Sequence, residues 1–345
     1  MKLSSDHPLD ISVVVIGRNE GLRLARCLES VAAADWRELR HEVIYVDSNS
    51  RDGSPARARR LGAHVLSLGA AKPCAAAGRN IGWRAARAPL VLFLDGDTLL
   101  EPGFVQQALP ALADERVCAV WGHRRESNPG QSPYTRVLDL DWVFAPGRVD
   151  YFGGDALVRR AALEQAGGFD DGLVAGEEPE LCRRLRALGW QIEHIDAPMT
   201  KHDLAIHTLR AWWTRAERAG LAYAQVAARF AASADPFWQR EARRNRVHAV
   251  LLLALPLLLL ALLVVKPLAA GALGLAAGAL WLRSALRCLW KCPGDFALAL
   301  RYAAHSHLQQ IPILAGQWRW WTLQRARRAP ELIEYKGQSA RGSRG

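Results

Sequence analysis

The sequence predicts an open, doubly wound, mostly parallel α/β sheet with a C-terminal hydrophobic helical hairpin. Three observations carry that expectation: short β-branched apolar runs recur through the first hundred residues, helical patterns separate them, and two long uncharged stretches stand after residue 248. The runs at 11–16, 43–46, 64–68 and 90–94 have the composition of strands buried on both faces of a parallel sheet. Between the first two, Leu22, Cys27, Leu28 and Val31 form an apolar stripe at helical spacing. Residues 75–88 are alanine-rich, and Pro89 stops that helix ahead of the fourth strand. Ligands of such a sheet bind where the carboxyl ends of the strands open into loops, so the polar residues after each strand are the functional candidates.

Residues 117–155 mix Gly, Pro and aromatic residues and read as irregular, forming the acceptor side of a cleft. Helical patterns return at 159–166 and 178–188. From 204 to 232 a long helical pattern carries Trp212, Trp213 and Tyr223 among arginines; it fits an amphipathic connector along a membrane surface and a core-packing helix equally well. Then come 17 uncharged residues at 249–265 and 16 at 267–282, with Lys266 alone between them, each near the lower length limit for a spanning helix. Arg243, Arg244 and Arg246 precede the pair and Arg283, Arg287 and Lys291 follow it, so the positive-inside rule puts both ends on the cytoplasmic side. A spanning hairpin ranks first, a re-entrant one second because the Lys266-Pro267 turn is so short, and a buried soluble hairpin third. Phe296, Leu300, Ala303, Ala304, Leu308 and Ile311 suggest one further amphipathic helix, with Trp318, Trp320 and Trp321 at an interfacial end. Residues 325–345 turn basic and then Gly/Ser-rich, the composition of a lipid-facing patch and a disordered tail.

The formal net charge of +11 looks like a nucleic-acid signal until the chain is divided at Asp235. Up to that point it holds 29 basic and 30 acidic residues, and beyond it 16 and 4. Positive charge confined to the segment with the longest apolar runs fits anionic lipid headgroups, not nucleic acid. The six cysteines include no Cys-x-x-Cys pair and no zinc spacing, as in a reduced cytosolic domain. Residues 1–10 are polar and lack the apolar core of a secretory signal, so the first domain is expected to stay in the cytoplasm.

Leu90-Val91-Leu92-Phe93-Leu94 leads into Asp95-Gly96-Asp97, a buried strand that delivers two carboxylates to a cleft. Carboxylates so close repel unless a cation joins them; Mg²⁺ or Mn²⁺ there would bridge the phosphates of a nucleoside diphosphate. Asp-x-Asp also occurs in ordinary surface turns, and its place after a buried strand is what lifts this one above them. The second strand ends in Asp47-Ser48-Asn49-Ser50-Arg51-Asp52-Gly53-Ser54. Asp47 either accepts hydrogen bonds from a nucleobase or ribose or caps its own loop, while Asp52 to Ser54 read as turn and helix N-cap chemistry.

Together these segments resemble the family 2 glycosyltransferases, with their GT-A fold, over roughly the first 230 residues. The carrying segments are Val13-Val14-Val15-Ile16-Gly17-Arg18-Asn19-Glu20, the Val46 to Ser54 run, Gly78-Arg79-Asn80-Ile81-Gly82, Asp95-Gly96-Asp97 and Gly176-Glu177-Glu178-Pro179-Glu180-Leu181-Cys182-Arg183-Arg184-Leu185. The resemblance implies that Asn19, Glu20 and Asp47 line the nucleotide pocket and that Arg79 lies near base and diphosphate, where a guanidinium makes charge-assisted, bidentate bonds. A surface arginine on an alanine-rich helix is the plainer alternative. The family usually has Glu-Asp where this chain has Glu177-Glu178. Its aspartate is the general base, so Glu178 inherits that role with a carboxylate one methylene longer; a helix N-terminus alone also favours Glu177, Glu178 and Glu180. Several relatives take a third metal ligand from a histidine near the position of Lys201-His202-Asp203, which implies His202. Gly153-Gly154-Asp155 resembles the loop where a sugar approaches the backbone, with Asp155 binding acceptor or sugar hydroxyls, or is an ordinary glycine turn. Gln317-Trp318-Arg319-Trp320 is similar to the Gln-x-x-Arg-Trp signature of processive polysaccharide synthases but is one residue short, and implies no processivity.

The organisation expected is a nucleotide-sugar-binding catalytic domain at 1–203, an amphipathic helical connector at 204–246, a membrane-associated helical region at 247–324 and a basic tail at 325–345. The resemblance implies an inverting, Mg²⁺- or Mn²⁺-dependent glycosyltransferase at the cytoplasmic membrane, its catalytic domain facing the cytoplasm. It would move a sugar from a UDP or GDP donor to a lipid-linked or glycan acceptor hydroxyl, in cell-surface glycan or glycolipid synthesis. Asp95 and Asp97 position donor and metal, Glu178 takes the acceptor proton, and Arg79 helps hold the departing diphosphate. A sugar-phosphate nucleotidyltransferase is the rival enzyme, but Ile16-Gly17-Arg18-Asn19-Glu20-Gly21 lacks the glycine density its phosphate loop usually needs. A non-catalytic membrane scaffold with a degenerate sugar-binding domain is the rival of another class, and the intact Asp95, Asp97 and Arg79 count against it.

Overall fold

A computed structural model of the chain describes residues 8–69 and 73–328. In chain order its elements are β1 (Ile11–Gly17), α1 (Leu22–Ala32), β2 (His41–Asp47), α2 (Ser54–Arg60), β3 (His64–Ser67), α3 (Ala75–Ala85), β4 (Leu90–Asp95), β5 (Thr98–Leu100), α4 (Phe104–Ala108), β6 (Val117–Glu126), α5 (Pro133–Leu138), β7 (Gly147–Val149), β8 (Ala156–Arg159), α6 (Arg160–Ala166), α7 (Glu177–Ala187), β9 (Gln191–His202), α8 (Leu209–Arg229), α9 (Gln239–Val265), α10 (Pro267–Cys288), α11 (Phe296–Leu308) and α12 (Gln310–Arg325). They fall into two compact units. The first holds residues up to Ser127 together with Phe144–Asp203, and the second holds Asn128–Val143 with residues from Leu204 onward.

In the first unit the four expected strands form the run β3-β2-β1-β4, all parallel, and the sheet continues as β8-β6-β9-β5, with β7 also on β9. The sheet is mostly parallel as expected, since β6 also runs parallel to β9, and it is mixed where β8 runs antiparallel to both β4 and β6 and where β5 and β7 run antiparallel to β9. Residues 117–155, read as irregular, contain the ten-residue strand β6. Its first six residues are buried on both faces, so it shows no period-two alternation there, and its pairing with β9 shifts register at three places. Along β1, six successive residues are buried, which is the two-sided burial that its apolar run at 13–16 requires, and the one polar member, Ser12, donates its hydroxyl to Glu42 Oε1 at 2.7 Å. On α1 the buried stripe is Leu24, Cys27, Leu28 and Val31, whereas Leu22 is 68% exposed at the first turn. Helix α3 ends at Ala85, ahead of Pro89, because Ala86 turns extended and the Arg87 amide donates to Glu42 Oε1 at 2.9 Å. All six cysteines are free thiols.

Chain order put residues 128–143 in the first domain. They belong to the second unit because Val137, Leu138 and Leu140 share an apolar cluster with Leu204, Ile206, Trp212, Leu298 and Tyr302. Helix α8 buries Trp212, Leu221 and Val226, so its apolar stripe packs within the unit. The single helix expected after Phe296 is two. Pro312, third in α12, has no N–H to give and its ring crowds the Leu308 carbonyl, so α11 stops there and Ile311 falls in the next helix. Gln317 is fully buried: its Oε1 accepts from Arg246 at 3.1 Å and its Nε2 donates to the Ala242 carbonyl at 3.2 Å. It ties α12 to the start of α9, which gives this polar residue a packing role. Helices α9 and α10 are long and apolar enough to cross a membrane and are largely unburied. The basic tail beyond residue 328 lies outside the described residues, as do residues 1–7.

Candidate active site

The carboxyl end of β4 delivers Asp95, and Gly96 then turns the chain, its amide donating to the Ile16 carbonyl at 2.7 Å. Thr98 closes the turn by donating its hydroxyl to the Asp95 carbonyl at 2.7 Å. Strand β5 follows at once, antiparallel to β9 with Thr98 opposite His202. That pairing is why a histidine about a hundred residues along the chain stands beside the second carboxylate: His202 Nε2 is 3.2 Å from Asp97 Oδ1, and both residues are buried. One ligand atom from each of Asp95, Asp97 and His202 lies within 4.8 Å of the other two.

Two arginines grip Asp95. Arg79 Nη2 reaches its Oδ1 at 3.0 Å and Arg124 Nη2 its Oδ2 at 3.4 Å. Burial alone would raise the Asp95 carboxyl, but the two guanidiniums outweigh it and hold the group below the usual carboxylate range. Arg79 is itself buried, which removes the surface-arginine alternative. Its Nη1 contacts Glu177 at 2.9 Å and Glu178 at 3.0 Å, at the start of α7. Burial opposes its charge, yet Glu178, Asp95 and Glu177 keep it firmly protonated. Glu178 stands on the other side of that balance: burial first, then the Glu177 charge, push its carboxyl up to about 7 against the pull of Arg79. Gly176 precedes the helix at φ 83°, a left-handed turn that suits glycine and aims the two glutamates at Arg79.

Asp155, expected to meet a sugar or acceptor, is only 3% exposed and committed to the protein. Its Oδ1 accepts from the Asp95 amide at 3.0 Å and its Oδ2 from the Thr200 hydroxyl at 2.8 Å, with Arg124 Nε 3.7 Å away. The reason is β8, whose antiparallel pairing sets Ala156 opposite Phe93 and so carries Asp155 to the end of β4. It holds Asp95 in place from behind. Sequence reasoning missed Arg124 and Thr200 altogether, since only the β6–β9 and β8 pairings bring them here; an arginine at a strand's carboxyl end was the sole local signal.

The nucleotide-side candidates stand at the ends of β1 and β2, where Gly17 pairs with Asp47. Asp47 is two strand spacings from Asp95, about 10 Å. Its carboxylate is buried and accepts from the Tyr45 hydroxyl at 3.0 Å and the Ser50 amide at 2.9 Å, the loop cap that its place after the strand allows. Asn19, in the left-handed region at φ 55°, stitches the two loops: its Oδ1 accepts from the Arg51 amide at 2.7 Å and its amide donates to Ser50 Oγ at 2.8 Å. Glu20 Oε2 is 2.9 Å from Arg23. Asp52 Oδ1 accepts from both the amide and the hydroxyl of Ser54, the turn chemistry expected of that tripeptide.

Arg79, Asp95, Asp97, Asp155, Glu178 and His202 thus converge, with Arg124 added. A Cβ on Gly154 would lie 2.6 Å from Asp95 Oδ2 and 2.9 Å from Arg79 Nη2. Gly154→Ala is expected to push that ion pair apart and lower activity roughly tenfold, short of the hundredfold that a 1 Å misplacement can cost. Initial rates, with thermal melting as the folding control, check this; an unchanged rate would mean the pair need not be held closely.

A family model described as "Glycosyl transferase family 2" matches residues 12–166, and one described as "Glycosyl transferase family group 2" matches residues 90–290. The chain is 32% identical over 238 residues to the pre-mycofactocin glycosyltransferase of Mycobacterium tuberculosis, covering 64% of this chain and 48% of that protein. It is 23% identical over 221 residues to the beta-monoglucosyldiacylglycerol synthase of a Nostoc species, covering 59% and 47%. The chain spans about half the length of the curated relatives it matches. Among solved structures it superposes with TM-score 0.62 on the mannosyltransferase PcManGT from Pyrobaculum calidifontis, determined with GDP-Man and Mn²⁺, at 23% identity over 88% of each chain. That likeness establishes the shared fold.

Proposed function

Because the chain belongs to the family 2 glycosyltransferases, we propose that it transfers a sugar from a UDP- or GDP-linked donor to an acceptor hydroxyl, by in-line displacement with inversion at the anomeric carbon. The observation that carries this reading is the gathering of Asp95, Asp97 and His202 beside an arginine that also reaches Glu177 and Glu178. The two carboxylates suit Mg²⁺ or Mn²⁺, and the imidazole nitrogen fits the softer Mn²⁺ better than the oxygen-preferring Mg²⁺. Such an ion supplies Lewis-acid stabilisation of the charge that develops on a departing diphosphate.

The protein's own groups do the rest. Arg79 holds Asp95 and offers its guanidinium to diphosphate oxygens. Glu178, kept partly protonated at neutral pH by its surroundings, removes the acceptor proton when ionised. Glu177, the more deeply buried of the pair, keeps Arg79 oriented. Asp155 and Arg124 fix the Asp95 end of β4, while Asp47, Asn19 and Glu20 line the nucleotide side. The first unit is the catalytic domain in this reading and the second the membrane-associated part.

A screen of UDP- and GDP-sugars with purified protein tests the chemistry. Release of nucleoside diphosphate with sugar transfer supports it. Formation of a nucleotide sugar from a sugar phosphate and a nucleoside triphosphate would favour the nucleotidyltransferase, and no turnover with any donor the scaffold.

Attachment to the cytoplasmic membrane, with the catalytic unit on the cytoplasmic side, is supported by the unburied apolar residues of α9 and α10 and the arginines at their bases. A glycolipid or lipid-linked acceptor fits that placement, and the name of the Nostoc relative supports the same class. Wild-type protein is expected to stay with membranes in alkaline carbonate. The triple variant Leu257→Gln, Leu260→Gln and Leu275→Gln, at exposed positions, is expected to be released. Release of the wild type would contradict the attachment.

A further inference from the structure

We propose that the α9–α10 hairpin enters a lipid bilayer from one face and ends inside it, so that no part of the chain between His248 and Ser284 emerges on the far side. The inference rests on the membrane attachment above and concerns its depth.

A single residue makes the turn. Lys266 is at once the C-terminal cap of α9 and the N-terminal cap of α10. Its amide donates to the Leu262 carbonyl at 2.7 Å, and its own carbonyl accepts from Ala269 at 2.9 Å and Ala270 at 3.1 Å. Pro267 has no N–H to leave unpaired. Lys266 is thus bonded through both of its backbone groups, which lowers the cost of placing the turn in hydrocarbon, where each unsatisfied group costs several kcal/mol. The turn also contains no polar loop to lie in water beyond a membrane. Around it, Val264, Val265 and Leu268 are 81%, 73% and 90% exposed, an apolar tip that water would penalise and lipid would cover.

The base of the hairpin is marked by a polar belt. His307 of α11 bonds His248 of α9 through Nδ1 at 3.0 Å and Ser284 of α10 through Nε2 at 3.0 Å. His248 and Ser284 stand equally far from Lys266, 18 residues on either side, so the helices run back along one another from a common level. At 1.5 Å per residue the tip reaches about 27 Å beyond that belt, and any tilt or bend at Pro256 shortens the reach. A hydrocarbon core is about 30 Å thick. Between belt and tip the remaining charged side chains are Arg283, adjoining the belt, and Lys266 itself. Exposed Arg243, Arg244, Arg283 and Arg287 ring the base, where they complement anionic headgroups. The Lys266 ammonium at the tip extends toward a headgroup layer on its flexible stem.

The full chain carrying Lys266→Cys, in sealed vesicles of phosphatidylethanolamine and phosphatidylglycerol, is challenged with a membrane-impermeant maleimide outside or trapped in the lumen. Protease protection assigns the face that carries the catalytic unit. The introduced thiol is expected to take up no more label than wild type from either side and to react fully in detergent. Arg243→Cys, at the base, is expected to be labelled from the catalytic face. Labelling of Lys266→Cys from the opposite face would overturn the proposal in favour of a full crossing. Labelling from the catalytic face would overturn it in favour of a hairpin lying on the surface. Carbonate extraction of the same variant separates these results from failure of attachment itself: a protein that is released refutes both, whereas one that is retained but labelled refutes the depth alone.

Discussion

Asp97→Asn is expected to lower metal-dependent sugar transfer by on the order of 10²–10³-fold, the loss seen when one charge-stabilising group is removed from a preorganised site. The substitution keeps the shape of the side chain and an oxygen that can accept from His202 Nε2, now 3.2 Å from Asp97 Oδ1, so the β5–β9 pairing has no reason to fail. What it removes is the negative charge of one of the two carboxylates facing that imidazole. Wild-type protein stripped with EDTA is expected to fall by a similar factor and to recover with Mn²⁺ or Mg²⁺, while the variant loses little more in EDTA. Initial rates at saturating donor measure both. A variant as fast as wild type, in the presence and absence of chelator, would take Asp97 out of the metal site.

Glu178→Gln is expected to cost on the order of 10²–10⁴-fold in transfer, since the amide keeps the size and the start of α7 but cannot take a proton. Donor binding is expected to survive, because Arg79 retains Asp95 and Glu177 as partners. The electrostatics add a second readout. A general base must be ionised, and burial with the adjacent Glu177 charge pushes this carboxyl up to about 7. For wild type, kcat/KM is therefore expected to climb with pH until about 7 and then level. The variant is expected to lose that limb, and Glu178→Asp to keep it at reduced rate. If Glu177→Gln is the dead protein and Glu178→Gln turns over normally, the base is one residue earlier.

What could be read from the sequence follows a physical divide. Local information was enough for β1, β2, β3 and β4, whose mostly apolar, β-branched runs admit few other structures, although β3 is a half-exposed edge strand and not one buried on both faces. It was enough too for Asp95-Gly96-Asp97, because a buried strand must deposit its last polar residues at its carboxyl end. Glu178 and Arg79 were legible only through the combined segments, and their shared ion pair was not. Contacts made by distant pairings stayed hidden. Asp155 looked like part of a glycine loop, and only the β4–β8 pairing turns it toward the Asp95 amide. Arg124 sits in the polar end of a strand that went unrecognised, and only the pairing of that strand with β8 and β9 brings it to Asp95. The break between α11 and α12 was within reach, since Pro312 signals it, but the apolar spacing through Ile311 masked the stop. The grouping of residues 128–143 with the helical unit depends on a cluster assembled from four separate stretches of chain, which no local pattern encodes.

The most direct test of the metal-assisted reading is Mn²⁺ binding followed by electron paramagnetic resonance, with and without UDP or GDP. The wild-type protein is expected to bind one Mn²⁺ per chain, more tightly with the matching nucleoside diphosphate, and Asp97→Asn and His202→Ala are each expected to abolish that enhancement. Absence of bound Mn²⁺ or Mg²⁺ competition in the wild type, or an unchanged signal in both variants, would contradict it.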